Sequence, residues 1–345
     1  MKQAFFLYAL LLCLLLSMTA CKRSERELHI FIWGDYIKPE LVQKFEEEYD
    51  CKVIVDTFDS NEALYAKLKL GASGYDLIFP SNYIFEIMLE QGMLRKINPD
   101  AIPNLQNVDP AYTRFVEEGE SGYGILYMVS STGIAYRKDK VKDFIPSWTI
   151  FSRRDLKGRM TLLNDIREAL GAALRHLGYS LNTTNDKEIE EAADLLIKWK
   201  KNLAKFESEQ YKNGIASAEF LVVQGYSGDI LQIMQENPHI EFVYPEEGIA
   251  LSFDYLAIPA SAPNPELAEQ FINFLLDGAN AAENMIFTLY LSPNTAAYSK
   301  LPPSLRTNPI LFLDEEQVKN SELIKNVGAA LSSYIKAWDR IKSSD

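Results

Sequence analysis

Cysteine and histidine are scarce in this chain, three of each among 345 residues. Cys13 and Cys21 lie in the N-terminal stretch, which leaves Cys51 alone in the body of the chain. A lone thiol cannot form an internal disulfide, so packing has to hold the fold together. The dispersed His29, His176 and His239 offer no metal-ligand spacing and no base set beside a nucleophile. No phosphate-cradling glycine loop stands out either, and these absences together argue against catalysis. Positive charge is also in deficit: 35 Lys and Arg against 48 Asp and Glu give a formal charge of −13. That balance makes nucleic acid a poor partner and a cation a better one. Beyond the N-terminal stretch, no segment approaches the roughly 20 consecutive apolar residues of a membrane helix.

What is present begins with that stretch. Lys2 supplies a positive start, and "AFFLYALLLCLLLSM" has the length and pattern of a signal peptide, read as residues 1–20. Thr19-Ala20-Cys21 resembles a bacterial lipobox, in which the cysteine is lipidated and becomes the mature N-terminus. Charged "KRSERE" then suits an exposed tether over 21–27. The alternatives are an ordinary secretory signal or a retained membrane helix. One lipidated terminus makes an anchored protein rather than a spanning one.

Apolar strands and amphipathic helices alternate from there on. "LHIFI" (28–32) reads as a buried strand. The helix after it, over 38–49, puts Leu41, Val42, Phe45 and Tyr49 on one face and Pro39 in its first turn. "CKVIVDTF" (51–58) is the next strand, and Asp59 and Glu62 have capping-box spacing for a helix over 60–70 that Gly71 stops. "DLIFP" (76–80) precedes a helix over 82–91. A second set occupies about 135–250, with helices over 166–178 and 186–203 and a strand at 218–223. A strand at 252–259 and a helix over 265–278 return to the first style. The alternation predicts an α/β fold of mostly parallel sheets with helices on both faces. No Gly/Ser-rich linker separates the two sets, which predicts structured crossovers, one of them at 129–136.

In such sheets ligands bind beyond the carboxyl ends of the strands. Trp33, Asp35 and Tyr36 follow the first strand, and Ser81 and Tyr83 follow the third. Two rings and a carboxylate suit a cage for an organic cation; the plainer reading is an aromatic pair sealing a strand end. Ser81 either caps the following helix or faces the ligand. Asp165 and Glu168 also have capping-box spacing, and a helix N-terminus opposes a cation, so spacing alone reads them as a cap. "GYSGD" (225–229) comes near the esterase elbow G-x-S-x-G, but Asp229 stands where glycine is required and that reading is rejected. Asp254 places a charge inside an apolar strand, which needs compensation if buried.

Several motifs in order make the assignment specific: "FIWGDYI", "SNEALYAKLKLGASGYDLIFPSNY", "LLNDIREALGAALRHLGYSLNTTNDKEIEEA", "GYSGDI", "FDYLAIPA", "INFLLDGANAA" and "LSPNTAA". Over nearly the whole chain after the signal segment, the sequence resembles the polyamine-binding proteins of bacterial ABC uptake systems. The resemblance implies a two-lobe periplasmic-binding-protein fold of type II with a ligand cleft at the hinge. The lobes would be 28–131 plus 253–298, and 132–252 plus 299–345. It implies a monomeric receptor that binds putrescine or spermidine and delivers it to a membrane permease, without cofactor, metal, chemistry or nucleic acid. The place of action would be the periplasm or the outer face of the cell membrane, with lipid on Cys21 as the anchor.

On that resemblance Trp33, Tyr36 and Tyr83 are ring positions, Asp35 is an acidic contact, and Ser81 faces the ligand. Asp165 and Glu168 become an acidic pair, with Glu168 turned to an ammonium. Tyr226 stands where a tryptophan is common, Asp229 and Asp254 face an amine end, and Tyr290 lines the wall. Gly34 replaces a frequent hydroxyl residue, Ser252 a large aromatic and Ile324 an amide. The last two losses touch the extra aminopropyl end of spermidine, which favours putrescine, with both amines expected to bind. A quaternary ammonium or a basic amino acid on the same fold, and a sensor presenting polyamine to a signalling receptor, are the alternatives.

Overall fold

The computed structural model describes residues 26–344 apart from 72–73, 114, 117–119 and 121. The expected signal peptide, the lipidation site Cys21 and residues 21–25 of the tether lie outside the described residues. Among the described residues no helix is long and apolar enough to cross a membrane, and Cys51 is a buried free thiol.

Among the described residues ten strands can be followed: β1 Arg26–Trp33, β2 Cys51–Phe58, β3 Leu77–Ile78, β4 Gly124–Arg137, β5 Met160–Leu162, β6 Lys205–Phe206, β7 Val222–Tyr226, β8 Ile240–Val243, β9 Ile249–Ala257 and β10 Ser321–Leu323. Their order is β2-β1-β3-β9-β4-β7-β5-β6, with β10 beside β9 and β8 beside β4. Two parallel sets result. β1 runs parallel to β2 and β3, and β5 runs parallel to β6 and β7. Antiparallel β4 and β9 join them. β4 pairs with β9 through Gly124–Ser131 and with β7 from Thr132 onward, so one strand changes partners between Ser131 and Thr132. That point falls inside the segment expected as a crossover.

Two main cores match the two sets. Leu28, Phe31, Leu77, Phe85, Leu256 and Phe271 belong to one, and Trp148, Leu170, Leu196, Trp199 and Tyr334 to the other. Each fully buried Leu or Phe contributes about 1.5–3 kcal/mol relative to exposure. The helix Ile166–His176 is buried over its first nine residues, which is why small Ala169, Gly171, Ala172 and Ala173 fill so much of it. Leu301, Leu305 and Leu311 pack with Met285 and Leu289 in a smaller cluster.

Several boundaries differ from expectation. The helix after β2 is capped by Ser60, not by an Asp59–Glu62 box: Ser60 is extended and its Oγ accepts from the Ala63 amide at 3.2 Å. The strand expected at 218–223 is Val222–Tyr226, because Ala218 adopts φ +62 in a turn and Phe220 packs into the core instead. β9 starts at Ile249 rather than 252, where β10 extends its pairing. β1 starts at Arg26, two residues before the expected strand and within the expected tether, because Arg26 and Glu27 pair with Cys51 and Lys52.

Candidate functional site

A cavity of about 780 Å³ is walled by residues of both halves, and all eleven binding candidates line it. Among the described residues eight acidic ones face it (Asp35, Asp59, Asp165, Glu168, Glu209, Asp229, Glu236 and Asp254) against two basic ones, Arg167 and Lys212. The segments after β1 and β3 contribute from one half, and the starts of helices Ile166–His176 and Ser227–Glu236 from the other.

Asp254 anchors one end. It lies on fully buried β9, where an isolated bridge to Ser81 brings the two segments together. Tyr36 donates its hydroxyl to Asp254 Oδ2 at 2.5 Å, and Ser81 donates to Oδ1 at 2.6 Å. Burial pushes this carboxyl up to about 6, and the two hydroxyl bonds oppose the rise by favouring the charged form. Ser81 occupies the N-cap position of helix Asn82–Glu90 but makes no side-chain cap bond, since its hydroxyl is spent on Asp254.

Aromatic rings continue the wall. Tyr36 meets Tyr290 edge to face at 5.1 Å between centroids and Tyr127 at 5.7 Å. Tyr290 donates to Asp229 Oδ1 at 3.0 Å, and Tyr211 donates to Asp229 Oδ2 at 2.7 Å. A linked series therefore runs from Asp254 through Tyr36 and Tyr290 to Asp229. Trp33 is fixed by a 3.0 Å bond from Nε1 to the Phe79 carbonyl and by contact with Phe58. Asp35 adopts φ +55, a left-handed conformation that aspartate tolerates better than most residues, and its exposed carboxylate faces Lys212.

Carboxyls also gather at the other end. Asp165 accepts the backbone amides of Arg167 at 2.8 Å and Glu168 at 3.0 Å, so it caps its helix. The box is only half made. Glu168 does not reach back to the cap and instead accepts from Thr132 Oγ1 at 2.8 Å, on β4 just past the change of partners. Burial first, then the Asp165 charge, pushes Glu168 up to about 8, and burial raises Asp165 as well. Tyr83 donates to Glu62 Oε1 at 3.0 Å, and burial raises the Glu62 carboxyl too. Burial and the charges of Asp165 and Glu168 raise the Tyr226 phenol well above its ordinary value, and Tyr226 lines the same cavity.

Sequence reasoning missed Glu62, which it took for a cap, and the two bases. Arg167 follows from nothing in the periodicity, and Lys212 sits in an unremarkable "QYKNG". The Arg167 guanidinium serves the scaffold: it donates to the carbonyls of Lys325 at 2.7 Å and Leu181 at 3.0 Å and to Asn182 Oδ1 at 2.8 Å. Gly34, Ser252 and Ile324 line the cavity, and a side chain at Gly34 would meet nothing within 4 Å. Among the described residues no group of three His, Cys, Asp or Glu is placed to hold a metal ion. Chemically the cavity can surround an elongated cation, with carboxyls at both ends and rings between.

The sequence pattern of bacterial extracellular solute-binding proteins matches residues 40–312. The spermidine/putrescine-binding periplasmic protein of Escherichia coli is 36% identical over 334 residues, 96% of each chain. The Tp0655 (TpPotD) lipoprotein of Treponema pallidum superposes with a TM-score of 0.81 at 35% identity, over 91% of this chain and 99% of that one. A Listeria monocytogenes protein assigned to spermidine/putrescine ABC transport superposes with a TM-score of 0.88 at 33% identity, over 93% of this chain and 100% of that one.

Proposed function

The chain belongs to the bacterial extracellular solute-binding proteins, and we propose that it is the polyamine receptor of an ABC importer, with putrescine its preferred ligand. The observation that carries this reading is the convergence of Asp254 and Glu168, from the two halves, on one cavity with tyrosine rings between them. A diamine is an apolar rod with an ammonium at each end. One ammonium goes to Asp254, with Asp229 adding negative charge behind Tyr290; the other goes to Glu168 and Asp165. The methylenes lie against Trp33, Tyr36, Tyr83, Tyr226 and Tyr290.

Magnitudes support it. Charge-assisted hydrogen bonds contribute about 1.5–3 kcal/mol each and an aromatic face beside an ammonium about 0.5–2 kcal/mol. A micromolar complex needs about 8 kcal/mol net. Quaternary ammoniums carry no N–H for these carboxyls, and the carboxylate of a basic amino acid would meet mostly acidic walls.

The lobes in this reading are 28–131 plus 253–298, and 132–252 plus 299–345, hinged on β4 and β9, with 301–311 forming a joint against 281–297. Ligand favours closure because its ends need partners from each lobe. The closed monomer is then what the permease recognises, and the receptor performs no chemistry. Lipid on Cys21 would hold it at the outer face of the membrane. Calorimetric titration with putrescine, spermidine, betaine and arginine tests the assignment. Heat from the two polyamines alone is expected, and heat from betaine or arginine alone would reverse it.

A further inference from the structure

The cleft already contains an ammonium of its own. Lys212 Nζ lies 3.6 Å from Asp35 Oδ2 and 3.8 Å from Asp229 Oδ1, with its side chain only 23% exposed. Asp35 follows β1 in one half; Lys212 lies in the first turn of helix Tyr211–Ala216 in the other, on the same side of the cavity as Asp229. The pair therefore spans the cleft. Unlike Arg167, Lys212 makes no hydrogen bond to the scaffold among the described residues, and its ammonium faces these two acids. Both Asp229 oxygens also accept from the Tyr211 and Tyr290 phenols, and Lys212 faces the same carboxylate.

A lysine placed in a cation site opposes the ligand unless the ligand has only as many ammoniums as the remaining carboxyls can hold. Of the candidate binding carboxyls, Asp254 and the Glu168–Asp165 pair remain for two. We propose that Lys212 is a specificity-determining residue that acts as a built-in third ammonium, admitting a diamine and repelling the additional charged end of a triamine. This rests on the polyamine reading and assigns its selectivity to a residue outside the eleven candidates. The physics is like-charge exclusion: an ammonium brought beside Lys212 is unfavourable, and discrimination against the wrong ligand is often built from such a repulsive element. Asp35 faces Lys212 from the other half of the cavity and helps to place its ammonium.

The test compares the ratio of spermidine to putrescine affinity in the wild-type protein, Lys212→Met, Lys212→Gln and Lys212→Arg by calorimetry. Thermal melting checks that each variant is folded. The ratio should rise at least tenfold in Lys212→Met and Lys212→Gln, through spermidine binding that tightens more than putrescine binding does, and return towards the wild-type value in Lys212→Arg. A ratio within twofold of wild type in both neutral variants overturns the proposal while leaving the polyamine reading intact. A wild-type protein that binds neither amine overturns both.

Discussion

Neutralising the two end carboxyls one at a time should produce losses with different pH dependence. Asp254 titrates near 6, so at pH 7 it is about nine-tenths ionised before ligand arrives. Asp254→Asn exchanges a charge-assisted bond of about 1.5–3 kcal/mol for a neutral one of about 0.5–1.5 kcal/mol. It also leaves one oxygen where Tyr36 and Ser81 now use two. The expected loss for putrescine is at least tenfold, about 1.4 kcal/mol, and nearly constant from pH 7 upward. Glu168 titrates near 8 and is mostly protonated at pH 7 in the empty protein. An ammonium must first see it ionised, at about 1.4 kcal/mol for each pH unit below its pKa. Glu168→Gln should therefore cost about threefold or less at pH 7 and ten- to thirtyfold at pH 8.5, where the ligand's amines, near the lysine value of about 10.4, remain charged. Isothermal titration at the two pH values measures both. Equal Glu168→Gln losses at pH 7 and 8.5, or an unchanged affinity in folded Asp254→Asn, would refute the reasoning.

Stability should carry the same signature. Asp254 and Glu168 have folded pKa values raised above their unfolded values near 4, so the folded empty protein binds more protons than the unfolded chain. Their penalty is absent below about pH 4, grows between 4 and 8, and is constant above; melting scans should show putrescine raising Tm more at pH 8.5 than at 5.5, and the reverse order would count against the assignment. Gly228→Ala reverses a propensity rule. Alanine normally favours a helix by about 1 kcal/mol, but a Cβ at this position would overlap the Tyr290 ring, so overpacking of about 1–3 kcal/mol should lower Tm and loosen Tyr290 from Asp229. A Tm equal to or above wild type would show that Tyr290 yields without cost.

Much of this architecture was legible because periodicity and burial agree. "LHIFI" is a buried strand and "CKVIVDTF" a half-exposed edge strand paired with it, and the parallel pairing of β1 with β2 and β3 follows from the helices between them. The eleven site candidates came from strand ends and from the family resemblance, and the structure brings all of them to one cavity. What escaped were residues whose role depends on which way a side chain turns. Ser60 took the cap because its backbone is extended, which freed Glu62 to meet Tyr83, and spacing cannot choose between two adjacent caps. Ser81 stands where a cap belongs yet bonds Asp254, a partner 173 residues away that no local pattern reveals. Lys212 lacked any signal, since a lone lysine in a short polar helix reads as solvated surface.

The most direct measurement is a crystal structure of the protein with putrescine bound. One ligand nitrogen should lie within hydrogen-bond distance of Asp254 and the other within the same reach of Glu168 or a water it holds, with the four-carbon chain against Tyr36, Tyr226 and Tyr290. A diamine found outside this cavity, or inside it with neither nitrogen near those two carboxyls, would contradict the account.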